Sequence, residues 1–188
     1  VFDWDWGLFT LAKDFINFGS SNNSNIIISS KAPSFPFMKL EVSPVDWLRF
    51  TYFHGWLRSN MIDSSSIRYT DISSTRENRS TTYLSRQKFI ASHLISANIN
   101  KDVTISVGES IIYGDRLEII YFNPLMFFRL ADHYLIKDGS GYSGGNAQIF
   151  GDVSWRIRTI KARLYSSLFI DELSISDLFG GGDNAQVI

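Results

Sequence analysis

The fold class of this chain is decided by residues 146–171, NAQIFGDVSWRIRTIKARLYSSLFID. With a two-residue turn at Arg158–Thr159 they pair as an antiparallel hairpin, and because side chains alternate along a strand, the hairpin has two faces. The apolar face carries Ala147, Ile149, Val153, Trp155 and Ile157 opposite Ile170, Leu168, Leu164, Ala162 and Ile160. The polar face carries Asn146, Gln148, Phe150, Asp152, Ser154 and Arg156 opposite Asp171, Phe169, Ser167, Tyr165, Arg163 and Lys161. A one-residue slip would exchange the faces, so the agreement between the strands predicts this hairpin.

The strands of this hairpin are long, at about a dozen residues, whereas half-buried strands of soluble proteins usually have about 5–6. Strands of about 10 residues with an outward apolar band, a polar inner face and aromatic residues near their ends are typical of outer-membrane barrels. The sequence therefore predicts an all-β antiparallel meander of long hairpins, part of a transmembrane outer-membrane β-barrel. The alternative is a soluble sandwich or lipocalin-like barrel with one packed face.

Composition limits the classes of function. The net charge is −1, with 18 basic and 19 acidic residues, which leaves no basic field to hold nucleic acid. No cysteine is present in the 188 residues, which excludes disulfides, thiolate catalysis and zinc–thiolate sites here. Aromatic residues make up 15%, which favours membrane-interface girdles or sugar-stacking surfaces. No run approaches the about 18–20 apolar residues of a transmembrane helix, so strands would make any membrane crossing.

The first half of the chain is predicted to alternate strands with polar connections. Trp4 and Trp6 lie on one face of the first strand, and Pro33 and Pro36 are expected to interrupt any ladder between the next two. The predicted segments are a strand over 2–11, a polar loop over 13–25, a short strand over 26–30, an aromatic turn over 31–37, a strand over 45–58 and a long exposed loop over 59–85.

A second hairpin is predicted over residues 88–113, with a turn near 98–102 and Ile95 paired with Ile105. Residues 113–145 are then either a tight hairpin turn followed by further strands or one long excursion that contains a packed loop or short helix. We prefer the excursion, because short turns then share one end of the sheet and long loops the other, as in outer-membrane barrels.

His93 and Glu109 are exceptions, because both fall on the apolar face of this second hairpin. Either a bulge turns one strand, or both residues lie above the lipid zone. A His–Glu pair can serve general acid–base chemistry, but no nucleophile or metal-ligand set accompanies it. We therefore predict that the protein is not an enzyme and that it has neither a metal site nor a cofactor.

Several motifs in order resemble a known family. They are NIIISSKAPSFPFMKL, WLRFTYFHGWL, IASHLI, ISVGESIIYGDRLEIIYFNPLMFFR, GGNAQIFGDVSWRIR and LFIDELSISDL, which cover most of the chain apart from the serine-rich loop. In order and spacing they resemble the Wzi-like capsule-assembly family of outer-membrane proteins, in particular its Bacteroidetes-type members.

The resemblance implies a barrel of about eighteen antiparallel strands in proteins longer than this chain. It also implies a lectin-like, non-enzymatic anchor that retains capsular polysaccharide at the surface of a Gram-negative cell. The seven or eight candidate strands then form an internal fragment of such a barrel. The start VFDWDWGLF lacks signal-peptide features, so either a signal has been processed or the chain is an internal piece. The implied partners are capsular or other surface polysaccharide, membrane lipid and the remainder of the barrel.

The candidate ligand-binding residues lie toward the predicted outer mouth. Sugar recognition uses aromatic faces and charge-assisted hydrogen bonds. The candidates are Glu109, Tyr113, Asp115, Arg116, Asn123, Arg129 and Asp171. Each has a structural alternative: Asp115 and Arg116 suit a tight turn, Asn123 suits turn chemistry, and Asp171 pairs with Asn146 within the sheet.

Three other functions compete with polysaccharide anchoring. A diffusion channel would use Asp152, Arg156, Lys161 and Arg163 as lumen-lining charges. An outer-membrane hydrolase would need serine, histidine and an acid on one strand face, whereas Ser92 and His93 lie on opposite faces. A soluble carbohydrate-binding sandwich would need a second sheet over the apolar hairpin face.

Overall fold

The computed structural model describes residues 1–16, 18, 28, 31–71, 79–138 and 144–171. Its strands are β1 Phe2–Trp4, β2 Gly7–Asp14, β3 Phe35–Val45, β4 Leu48–Leu57, β5 Arg68–Asp71, β6 Arg79–Thr82, β7 Lys88–Asn98, β8 Val103–Gly114, β9 Asn146–Ile157 and β10 Ala162–Asp171. Short 3₁₀ helices span Ser64–Ser66 and Ile119–Phe122, and helix α1 spans Phe128–Lys137. Eight strands form one sheet in the order β1-β2-β3-β4-β7-β8-β9-β10, and β5 and β6 pair separately. The predicted all-β antiparallel meander is confirmed.

The connections divide by length between the two ends of this sheet. Short turns join β1 to β2, β3 to β4, β7 to β8 and β9 to β10, and they lie at the short-turn end. The long connections 15–34, 58–87 and 115–145 lie at the opposite, long-loop end. The chain between β8 and β9 is therefore one excursion, residues 115–145, with a 3₁₀ helix and α1 in its described part. No described helix is long and apolar enough to cross a membrane.

The register of the β9–β10 hairpin differs from the predicted one by two residues. Trp155 pairs with Leu164 and not with Ala162. The predicted two-residue turn is wrong, because the turn contains residues 158–161 and ends at Lys161, whose φ is 53°. Because side chains alternate with a period of two, a shift of two residues leaves every side chain on its predicted face.

The β7–β8 hairpin shows the same offset. Ile95 pairs with Val107 rather than with Ile105. Its turn lies at the predicted place, residues 99–102, where the side-chain oxygen of Asn100 accepts two backbone N–H bonds at 2.8 and 2.9 Å. Here too the parity of the strands, and with it the assignment of faces, is retained.

The prediction of a single strand over residues 2–11 is wrong, because the chain reverses at Asp5 and Trp6 to form the β1–β2 hairpin. Gly7 permits this close turn. A Cβ at that position would lie 2.1 Å from the Trp4 indole, so a larger residue would displace the ring.

Strand β3 was missed because Pro36 appeared to prevent pairing. Pro36 pairs with Lys13 of β2, while the ladder with β4 begins one residue later, at Phe37. The missing N–H therefore falls at the start of the strand, where proline is tolerated. The predicted short strand over 26–30 lies outside the described residues except for Ile28, which bridges to Phe18.

The connection predicted as an exposed loop over 59–85 contains a 3₁₀ turn and the β5–β6 hairpin. Asp63 precedes the 3₁₀ turn and accepts hydrogen bonds from the Ser65 backbone N–H at 3.0 Å and the Ser65 hydroxyl at 2.6 Å. These bonds hold the pKa of the Asp63 carboxyl below its usual range. The segment thus has local structure of its own.

Two cores cover opposite faces of the sheet toward the long-loop end. On the apolar face, Tyr121, Phe128 and Ala131 of the excursion pack against Tyr52 and Ile111 of the sheet. On the polar face, the connection between β2 and β3 packs apolar side chains onto the sheet. These are Ile16, Phe18 and Ile28 against Phe37, Phe53, Ile90, Leu94 and Phe150. The sheet is thus covered on both sides at one end.

Gly108 of β8 is required by the second of these cores. A Cβ there would lie 2.4 Å from the His93 carbonyl oxygen and 2.5 Å from the Phe150 ring. We expect Gly108→Ala to lower the free energy of unfolding by about 1–3 kcal/mol, the usual cost of overpacking. Gly151→Ala is the matched control, because its nearest contact would be an ordinary 3.5 Å and its expected effect is within about 0.5 kcal/mol. Equal denaturant midpoints for both variants would contradict this account.

Candidate functional site

The apolar face is uncovered toward the short-turn end. Val107 is 57% exposed, Val153 42% and Leu168 65%. Ile95, Ile105, Trp155 and Leu164 on the same face are also exposed. A contiguous exposed patch of large aliphatic side chains on one sheet face indicates contact with another apolar phase or surface. We call this patch the apolar band.

Exposed tryptophans mark the short-turn end. Trp6 lies in the β1–β2 turn, Trp47 lies in the β3–β4 turn, and Trp155 lies two residues before the end of β9. Each is about half exposed. Tryptophan is enriched where an apolar phase meets water, because its ring is apolar and its N–H is polar.

The polar face forms a groove behind the apolar band, with a volume of about 370 Å³. Its charged lining residues include Lys39, Glu41, Arg49, Asp46 and Arg163. Lys39 Nζ lies 2.7 Å from Glu41 Oε2, and Arg163 Nε donates to the Ser154 hydroxyl at 3.1 Å. The polar groove therefore presents hydrogen-bonding groups of both charges to water.

A second cavity, the outer pocket, lies at the long-loop end, where β2 and β4 finish and β3 begins. Its volume is about 730 Å³. It is lined by the aromatic rings of Phe35 and Trp56 and by the cationic side chains of Lys13 and Arg58. A flat aromatic surface beside cations is suited to the apolar faces and the carboxylates of acidic sugars. Sequence reasoning missed these residues, although Trp56 and Arg58 end a predicted strand beside a long loop.

Glu109 is buried and does not lie in solvent at the predicted outer mouth. It pairs directly with His93, and its Oε2 lies 3.8 Å from His93 Nε2. The two carboxyl oxygens accept the backbone N–H groups of Phe128 and Arg129 at 2.7 and 2.6 Å. Because Phe127, which precedes α1, provides no side-chain cap, Glu109 caps the helix from the sheet. Glu109 is 2% exposed, so a ligand would reach it only if the excursion moved.

Tyr113 is also buried beneath the excursion. Its hydroxyl is hydrogen-bonded to His54 Nε2 at 2.8 Å, and its ring packs against Tyr121. Tyr52 donates to the Tyr121 carbonyl at 2.7 Å. The Tyr52 bond and the Tyr113–Tyr121 ring contact attach the excursion to the sheet, while the Tyr113–His54 bond links β8 to β4. These contacts give His54, Tyr52 and Tyr113 a structural setting.

Asp115 and Arg116 lie in the tight turn that follows β8, where Asp115 has a φ of 69°. Arg116 forms an ion pair with Glu118, and Asp115 lies 3.6 Å from Arg86. Asn123 accepts a hydrogen bond from a backbone N–H two residues later, at 3.1 Å. The structural alternatives predicted for these residues are therefore present in the fold.

Asp171 pairs with Gln148, so the expected pairing with Asn146 is wrong by the same two-residue offset. It lies on the polar face, whereas Glu109 and Tyr113 lie on the apolar face. The structure brings Glu109 and Arg129 together and places Asp171 on the other side of the sheet. The ligand-binding role of these residues stays a prediction.

Within the described ranges, no group of three His, Asp or Glu side chains is placed to hold a metal ion. Comparison of the chain with protein-family models, with curated proteins and with solved structures gives no match. The apolar band, the polar groove and the outer pocket are therefore the features on which a function is argued.

Proposed function

We propose that this chain forms part of the wall of an outer-membrane β-barrel that binds surface polysaccharide without reacting with it. The apolar band faces lipid, the polar face lines the lumen, and the long-loop end is extracellular. Long connections at one end and short turns at the other follow the usual arrangement of such barrels. The remainder of the barrel would pair with the edge strands β1 and β10, which otherwise expose unpaired backbone.

The observation that carries this proposal is the opposite character of the two faces near the short-turn end. Large aliphatic side chains are exposed on one face, while Ser106 and Ser154 on the other are 1% and 2% exposed. A soluble sandwich has the reverse arrangement, because it buries its apolar face. Exposed tryptophans at the border of the band agree with a membrane interface.

Polysaccharide is the proposed ligand for two reasons. The motifs resemble the Wzi-like capsule-assembly family, and the outer pocket combines Trp56 with Lys13 and Arg58 at the end that would face the medium. Trp56 lies on the apolar face at the long-loop end, beyond the apolar band, where its ring packs edge-on against His54 and the part that remains exposed can meet a sugar. The two cations suit uronic acids or other acidic substituents. Ile16, Phe18 and Ile28 pack on the lumenal face and fill part of the lumen, which favours an anchor over a wide channel.

The test is retention of the full-length protein in detergent on immobilised acidic capsular polysaccharide. We expect Trp56→Ala to weaken binding by about tenfold, equivalent to about 1.4 kcal/mol. Arg58→Ala is expected to weaken binding and reduce its salt dependence, because a charge pair with the sugar is screened by ions. Trp47→Ala at the short-turn end is the matched control and should bind like the unmodified protein.

Each variant is assayed well below its own thermal midpoint, so that lost binding is not lost folding. The midpoint of Trp56→Ala is expected to fall, because the Trp56 ring packs against the core on the apolar face. Equal retention of Trp56→Ala and Trp47→Ala would overturn the assignment of the outer pocket. Failure of every form to bind polysaccharide, together with ion conductance in a planar bilayer, would favour a diffusion channel. The charges of Lys39, Arg49 and Arg163 in the polar groove support that second candidate.

A further inference from the structure

The excursion presents a second apolar surface on its outer side. Its inner side chains Phe128 and Ala131 are buried against the sheet, at 0% and 2% exposure. Its outer side chains are largely uncovered, with Ile119 82% exposed, Leu125 80% and Leu130 56%. Phe127 and Tyr134 add to this surface. We call these five residues the outer ridge.

Helix α1 therefore exposes some large apolar side chains away from the sheet. A helix that packs one stripe against a sheet normally exposes charged and polar residues on the opposite side. In α1 that side carries His133 and Lys137, but Leu130 and Tyr134 are exposed beside them. Large apolar side chains that stay exposed indicate a second apolar surface, and nothing in the described part of the chain covers the outer ridge.

The charges of α1 identify the kind of environment. Its basic residues Arg129 and Lys137 are partly or fully exposed. Its one acidic residue, Asp132, is 2% exposed and accepts the Gly145 N–H at 2.6 Å, so it is directed away from the outer ridge. The exposed Asp138 follows Lys137 as the C-terminal cap, outside the helix. Within α1, exposed apolar side chains beside two cations match the acyl region and the anionic phosphates of a lipid leaflet.

The position of the outer ridge also agrees with contact to a lipid leaflet. The excursion covers the apolar face of the sheet, the same face that carries the apolar band. The outer ridge and the apolar band therefore lie on one side of the molecule, toward the two ends of the same strands. Glu109 holds α1 in this place through the N–H groups of Phe128 and Arg129.

We infer that the excursion is a membrane-interface segment, with the outer ridge in the acyl region of the outer leaflet and Arg129 and Lys137 at its anionic phosphates. This inference rests on the proposed barrel, because the apolar band must face lipid for the outer ridge to meet the same leaflet. The excursion then serves as a lateral lipid contact above the sheet and not as a lid over the lumen. A protein partner or a second copy on this surface is the competing outcome.

The experiment uses the full-length protein in bilayers of phosphatidylethanolamine and phosphatidylglycerol. Single fluorophores are attached at Leu130→Cys in the outer ridge, Val153→Cys in the apolar band and Ser167→Cys on the polar face. Spin-labelled lipids then quench whichever probes contact the acyl chains. We expect quenching at positions 130 and 153 and little at 167. Without phosphatidylglycerol, quenching at 130 should fall by about twofold, because surface attachment depends on anionic lipid, while quenching at 153 should not change.

The outcomes separate the inference from the proposed function. Quenching at position 153 without quenching at 130 would overturn the inference and leave the barrel standing. Absence of quenching at both positions would overturn both. Protection of position 130 that increases with protein density in the bilayer would place a second copy on the outer ridge and overturn the lipid assignment.

Discussion

Replacing Val153 with lysine is expected to lower the free energy of unfolding of the full-length protein in a bilayer by about 1–3 kcal/mol, because a basic side chain costs about 2–4 kcal/mol at the bilayer midplane and less toward the interface that Trp155, two residues along β9, marks. Val153 lies in the apolar band, 42% exposed, between Ile105 of β8 and Ser166 of β10. At such an exposed position in a soluble protein the same substitution would change stability by no more than about 0.5 kcal/mol. The size of the effect therefore distinguishes lipid from water outside this face. Reversible unfolding in urea from lipid vesicles measures it.

Ser167→Lys is the matched control for this substitution. Ser167 is exposed on the polar face, and its direct neighbour across the β9–β10 hairpin is Asp152. A lysine there meets a carboxylate, and opposite charges across a strand pair stabilise by about 0.2–1 kcal/mol. We expect the control to fold at least as well as the unmodified protein. Equal tolerance of lysine at positions 153 and 167 would remove the barrel from consideration and favour a soluble sheet.

Glu109→Ala is expected to destabilise the excursion by about 2–4 kcal/mol, since it removes two hydrogen bonds to a carboxyl group and leaves two backbone N–H groups unsatisfied. The side chain is 2% exposed, so water cannot readily replace it. Glu109→Gln keeps one carbonyl oxygen and should lose about half of that stability. Hydrogen exchange at the amides of Phe128 and Arg129 is the direct measurement, because these groups donate to Glu109.

Glu41→Ala provides the comparison for the removal of a carboxyl group. Glu41 pairs with Lys39 at 2.7 Å, but both side chains are 27% exposed. Partly exposed ion pairs contribute at most about 1 kcal/mol, so this variant should leave the amides of α1 as protected as before. If Glu109→Ala also left their exchange unchanged, Glu109 would not be the cap of α1.

The face of the sheet on which each strand residue lies was predictable from the sequence, whereas the length of the turns was not. Alternation of apolar and polar residues assigned Val153 to one face and Asp152 to the other, and a two-residue shift in register left that assignment intact. The shift arose because Lys161 adopts a left-handed conformation in a longer turn, which sequence seldom indicates for lysine. β3 was missed for a comparable reason, since whether Pro36 disrupts a ladder depends on where the ladder begins.

The sequence by itself determined which side chains share a face of each strand, because that depends only on a period of two along the chain. It also indicated the two long hairpins and the excursion between β8 and β9. Tertiary structure alone decided what covers each face: the excursion on the apolar side and the β2–β3 connection on the polar side. The same holds for Glu109, an acid at an apolar position whose partners, the N–H groups of α1, lie 19 and 20 residues away. The physical reason is that backbone groups of a distant helix leave no trace in the side-chain pattern around the residue they bind.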